Sequence, residues 1–152
     1  MKFFSAFLLI LTSNIMFSQN LKEFRTLLQS GESSEKSAKD LIQKSEVAFQ
    51  KSKEPIFASF LAVGHFFMAK HVFSPFKKMS HFNEGKKIMD NAVLKDPKNV
   101  EIRLMRLSTQ ENAPKILGYT KNIEEDKKVI ISEYQNIKDE DLKIYVKKIL
   151  KL

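Results

Sequence analysis

From residue 35 onward the chain repeats its apolar side chains at intervals of three and four, the spacing of one face of a helix. Ala38, Leu41, Ile42, Ser45, Ala48 and Phe49 line such a stripe between residues 35 and 51, with Ser33 or Ser34 placed to cap its start. Glu54-Pro55 opens the next helix, with proline in the first turn, where its missing N–H costs nothing. From Ile56 to Phe73 that helix is apolar on nearly every side, through Phe57, Phe60, Leu61, Val63, Phe66, Phe67, Met68 and Val72. Such a helix is buried among neighbours or lies in a membrane. Gly64, His65, Lys70 and His71 interrupt this one, so it makes a poor bilayer span and is expected at the centre of the fold. Ser74-Pro75 breaks the run. Residues 76–94 are helical again, with Phe76, Met79, Phe82, Gly85, Met89 and Ala92 on one face and Lys77, Lys78, Lys86 and Lys87 away from it.

Before this block, Leu21, Phe24, Leu27 and Leu28 share one side of a short helix over 21–29, followed by the polar connector SGESSEKS at 30–37. After it, Asp96-Pro97 reads as a stop and restart, Asp capping and Pro opening a helix that runs to about Gln110. Val100, Leu104 and Leu107 form its stripe, with Ile102 and Met105 beside it. The longest irregular stretch is ENAPKILGYTKN, 111–122. Asn122 and Glu125 have the spacing of a capping box and open a helix over 123–134, where Ile123, Lys127, Ile130, Ile131 and Tyr134 share a face. Asp139, Glu140 and Asp141 begin the last helix, and Lys147, Lys148 and Lys151 end it, in the order the helix dipole favours. Leu142, Tyr145, Val146 and Ile149 are its expected buried side. No segment sustains a period of two, and four Gly and four Pro are too few for the turns of a many-stranded sandwich. The expected class is all-α, with six or seven helices stacked as antiparallel hairpins.

The first residues have another character. Lys2 is followed by a nine-residue apolar run, Phe3–Leu11, then by Thr12, Ser13 and Asn14 and a cleavage-like position after Ser18. This is the three-part layout of a secretory leader. The expectation is a cleaved signal peptide at 1–18, a single helical domain at 19–152, and a location in the periplasm or outside the cell. No Cys follows the run, so no lipid-anchored cysteine is expected, and no disulfide or thiol site can form. The domain must hold together by core packing alone.

Gly85, Met89, Ala92 and Pro97 stand at the spacing of the second helix of a tetratricopeptide repeat, in which small residues let a paired helix approach. Phe73 stands where that family's first-helix glycine falls, and Ser74-Pro75 is inserted, so the likeness covers about half a repeat. The chain here resembles a tetratricopeptide-like (TPR-like) helical hairpin and not a regular array. Residues 99–130 also resemble an uncharacterised family of exported proteins from Gram-negative bacteria. That likeness is carried by Glu101-Ile102-Arg103, Arg106-Leu107, Gln110, Asn112, Pro114, Leu117-Gly118-Tyr119 and Asp126-Lys127. It implies export and a helical fold, and no activity.

Three clusters carry candidate chemistry. Glu101, Arg103, Arg106, Tyr119 and Asp126 form the first, since Arg103 and Arg106 are three apart on one helix and can point the same way. Two guanidiniums beside Tyr119 could take a carboxylate from outside. The plainer reading is a network in which Glu101 or Asp126 helps them tie the loop to the helix. Lys77, Lys78, Lys86 and Lys87 form the second, a solvated face or a salt-sensitive contact with an anionic surface. The net charge of +8 comes almost wholly from Lys, with only Arg25, Arg103 and Arg106 otherwise, so specific nucleic-acid reading is not expected. The third is the histidines. His65 and His71 are six apart and cannot grip one ion, whereas His81 and Glu84 can pair, so no metal site is expected. Glu124, Glu125, Asp126 and Asp139–Asp141 begin helices, and no triad order or phosphate loop is present.

No cofactor and no enzymatic activity are therefore expected. The expected function is binding of a protein or peptide partner. The alternative is carriage of a small hydrophobic ligand in a cavity lined from the thirteen Phe and six Met.

Overall fold

The computed structural model describes residues 21–152, so the expected leader at 1–18 lies outside the described residues. Those residues form seven α-helices and no strands, which makes the chain all-α. They are α1 (21–31), α2 (Glu35–Ser52), α3 (Pro55–His71), α4 (Pro75–Lys95), α5 (Val100–Asn112), α6 (Ile123–Glu133) and α7 (Glu140–Leu150), with 3-10 turns at Lys115–Leu117 and Tyr134–Asn136.

The boundaries follow local chemistry. Ser34 accepts from the Ser37 amide to start α2, and Asp139 accepts from the Leu142 amide to start α7. Pro55 and Pro75 occupy the first positions of α3 and α4. The α5 start differs from expectation. Asp96 ends α4, Pro97 lies in the turn that follows, and Asn99 is the cap, accepting from Ile102 N at 3.2 Å. Asn99 Nδ2 also donates to Asp96 Oδ2 at 2.9 Å, which fixes the turn. At α6, Asn122 makes no side-chain cap to the backbone and instead donates to Glu125 Oε2 at 3.1 Å.

α3 lies between α2 and α4 and is buried on all sides through most of its length, with Phe60 and Ala62 fully enclosed. Glycines set both close approaches. A Cβ on Gly85 would lie 2.9 Å from the Ala62 carbonyl oxygen, and one on Gly64 would lie 2.7 Å from Ile42 Cγ1. Phe24, Phe57 and Phe60 stack at one end of this core, and Phe66, Phe82 and Tyr119 cluster at the other. A second core gathers Val100, Leu104 and Leu107 of α5 with Ile130, Ile137 and Val146. Ile102 and Met105 face the first core, so α5 contributes to both.

Several apolar residues do not reach either core. Phe73 falls in the α3–α4 link rather than in α3, and Phe76 and Met79 point away from the buried Phe82, Gly85, Met89 and Ala92. Tyr145 and Ile149 are also exposed, leaving Val146 buried and Leu142 partly so. α4 and α7 each present an apolar arc wider than their neighbours cover.

Candidate functional site

α5 carries arginine-bearing networks on opposite sides. Arg103 and Arg106, each 5% exposed, turn together toward α6 and meet Asp126, which is fully buried. Arg106 clasps that carboxylate with two bonds, Nε to Oδ2 at 2.8 Å and Nη2 to Oδ1 at 2.7 Å. Arg103 Nη1 reaches the same Oδ1 at 2.8 Å and Glu125 Oε1 at 2.6 Å, while its Nε donates to the Pro97 carbonyl at 2.8 Å. Asp90 of α4 closes the group, 3.5 Å from Arg106 Nη1 and accepting from the Tyr119 hydroxyl at 2.9 Å. Asp126 owes its position to the first turn of α6, whose N–H groups and dipole suit an acid.

The electrostatics match this closure. Burial works against the charge on Arg106, yet the Asp126 carboxylate outweighs it and holds the guanidinium above its ordinary value. Burial, together with the charge and hydrogen bond of Asp90, pushes the Tyr119 hydroxyl well above the usual phenol range, so it stays a proton donor. Glu125, more exposed, is held below its usual value mainly by its bond to Arg103 and then by Asn122. Apart from the Arg103 bond to the Pro97 carbonyl, the guanidinium bonds go to the chain's own acids, with Tyr119 packed against Phe66 and Phe82 on the far side. Lys86 lies over the Tyr119 ring, 5.4 Å from its centre.

Glu101 stands apart from this cluster. Two residues before Arg103 on a helix, it faces another way and forms a bidentate pair with Arg25 of α1, at 2.7 and 2.8 Å. Arg25 also donates to Asp139 Oδ2 at 2.9 Å, so one guanidinium joins α1, α5 and the cap of α7. Of the five corner residues expected from sequence, the structure brings four together and moves Glu101 to this second network. Asp90, Glu125 and Arg25 are the members that sequence alone did not supply. Arg25 is 76 and 114 positions from its two partners, and no local pattern signals that separation.

The four lysines do not act as one face. Lys77 and Lys87 are free in solvent, Lys86 covers Tyr119, and Lys78 Nζ lies 3.3 Å from the Ala69 and Lys70 carbonyls at the end of α3. Among the histidines, His71 lies 2.9 Å from the Gly31 carbonyl through Nε2. His65 pairs with His81, their Nδ1 atoms 3.0 Å apart and their ring centres 5.3 Å apart. Both nitrogens therefore lie between the rings and do not converge on a third point. Among the described residues no group of three or more His, Cys, Asp and Glu could hold a metal ion, and no helix is long and apolar enough to cross a membrane.

No protein-family model, curated protein or solved structure matches the chain. What supports a function is therefore the geometry itself.

Proposed function

We propose that this chain is an exported, non-catalytic helical domain that binds a protein or peptide partner along the open flank of α7. One observation carries the reading. Tyr145 and Ile149, one turn apart, are 49% and 41% exposed beside the covered edge formed by Leu142, Val146 and Leu150. An apolar stripe at i and i+4 next to a buried edge is what a partner helix or peptide lays its own apolar side chains against. The TPR-like approach of α4 to α3 at Gly85 fits a scaffold that presents helices. The arginine cluster, with its donors engaged internally, serves in this reading to hold α6 against α5 and so to position α7.

The hydrophobic-carrier alternative has less support. Phe24, Phe57, Phe60, Phe66 and Phe82 are spent on one another in the core, and a cleft of about 260 Å³ is bordered by Glu54, Asp96, Asn99 and Glu101 as well as Leu21, Pro55 and Ile56. Ligand pockets begin at roughly 300 Å³ and are mostly apolar.

The test is the double variant Tyr145→Ser/Ile149→Ser. Its melting temperature should match the parent, while a partner retained from envelope extract by the parent should be lost. A large drop in stability would show that the stripe belongs to the core. Retention of no protein above background by the parent would end the proposal.

A further inference from the structure

A second apolar feature has a different shape. Phe73 and Phe76, at the turn between α3 and α4, are 98% and 89% exposed, and Met79 is half-exposed one turn further on. Scattered exposed apolar residues are normal, but two almost fully exposed Phe rings three residues apart at a hairpin tip form a projecting patch. Its chemistry points to one class of partner. Between residues 70 and 83 there is no Asp or Glu, while Lys70, Lys77 and Lys78 are all present. Glu32 of the α1–α2 connector pairs with Lys70, so Lys77 and Lys78 carry the uncompensated charge at the tip. Phe rings in front of lysines are the arrangement that inserts into the boundary of an anionic bilayer, rings among the acyl chains and ammonium groups at the headgroups.

Part of the backbone at the tip already has partners within the chain, which lowers the cost of leaving water. Val72 N donates to the Met68 carbonyl at 3.0 Å, and Lys78 N to the Ser74 carbonyl at 2.9 Å. Lys78 Nζ covers the last carbonyls of α3, and Pro75 has no N–H to leave unmet.

We propose that the α3–α4 turn anchors the protein on the surface of membranes rich in anionic phospholipid, with Phe73 and Phe76 as the inserted wedge. This surface is separate from the α7 flank, and the two proposals stand or fall independently.

The chain contains no Trp, so Phe76→Trp supplies a single local reporter. With vesicles of phosphatidylcholine and phosphatidylglycerol at low salt, its emission should shift to the blue and be quenched by brominated acyl chains. Trp at the opposite end of α4, in Leu94→Trp, should show neither effect. Lys77→Glu in the Phe76→Trp background should weaken the partition at least about tenfold, since each basic group near such a surface contributes on the order of 1 kcal/mol and reversal counts twice. Added salt should weaken it too. Unchanged Phe76→Trp emission with anionic vesicles overturns the proposal. So does equal response with pure phosphatidylcholine, or a blue shift that follows protein concentration without lipid, which would mark the tip as a contact between copies.

Discussion

Replacing Asp126 by Asn keeps the side chain's size and one acceptor oxygen but removes the charge that two buried guanidiniums share. Three charge-assisted bonds of 2.7–2.8 Å end on that carboxylate, two from Arg106 and one from Arg103. In the variant an amide NH₂ faces a guanidinium N–H at one of the two oxygen positions, so at least one bond is lost and the others become weaker, neutral-acceptor ones. Arg103 keeps Glu125 and the Pro97 carbonyl. The only acids left to Arg106 are Asp90 at 3.5 Å and Glu125 at 3.9 Å, although its side chain is 6% exposed. Breaking one partner of a buried ion pair costs about 3–5 kcal/mol, and the remaining acids put this case near the lower end, about 3 kcal/mol. Equilibrium urea unfolding followed by circular dichroism should show the midpoint falling by about 1.5 M if the slope is about 2 kcal/mol per molar. The melting temperature should fall by roughly 10 °C. The double variant Arg106→Met/Asp126→Leu should recover part of that loss, because an apolar pair leaves no stranded charge. A loss below about 1 kcal/mol in Asp126→Asn would refute the reasoning, for it would mean that water already solvates the cluster.

Other substitutions probe separate parts of the molecule. Gly85→Ala gains helix propensity of about 1 kcal/mol but places its Cβ 2.9 Å from a backbone oxygen and 3.1 Å from the Phe66 ring. It should therefore lower stability by about 1–2 kcal/mol in the same urea assay. Tyr119→Phe keeps the ring contacts and removes only the bond to Asp90, so a loss of about 1–2 kcal/mol is expected in thermal unfolding, with native helicity unchanged. Burial, then the nearby His81, depresses His65 below its ordinary 6.5, against the opposing pull of Glu84 and Glu46. Below pH 6.5 His65 thus binds protons more readily in the unfolded chain than in the folded one, so the stability its neutral form contributes is present above that pH and lost as pH falls. Melting temperature against pH should show this decline, and His65→Phe should flatten it.

The helical order was legible because its signals are local. A serine cap at 33 or 34, Pro55 in a first turn, the acids that begin α7 and the all-round apolarity of α3 each follow from a few neighbouring residues. The error at α5 is of the same local kind, since Asp96-Pro97 and Asn99 are competing starts three residues apart and only Asn99 reaches a free amide. What periodicity could not give is how much of an apolar arc the neighbours cover. Phe76 and Met79 share an arc with Phe82, and Tyr145 and Ile149 share one with Val146, yet in each pair of groups only the last-named is buried. In the arginine cluster, the i, i+3 spacing gave the common direction of Arg103 and Arg106. Asp90, Glu101 and Arg25 were set by tertiary distance, which no spacing rule contains.

The division of α5 between two cores has a consequence for how the molecule comes apart. Ile102 and Met105 belong to the bundle built on α3, while Val100, Leu104 and Leu107 belong to the pool shared with α6 and α7. Like a wall common to two rooms, α5 stays standing while either room is emptied. The C-terminal pair of helices can then open as its own unit, held shut by that shared apolar pool, by Asp126 on one side of the wall and by Arg25 reaching across to Asp139 on the other. In native-state hydrogen exchange, the amides of α6 and α7 should share a lower opening energy, and those of α5 should exchange with the slow N-terminal bundle.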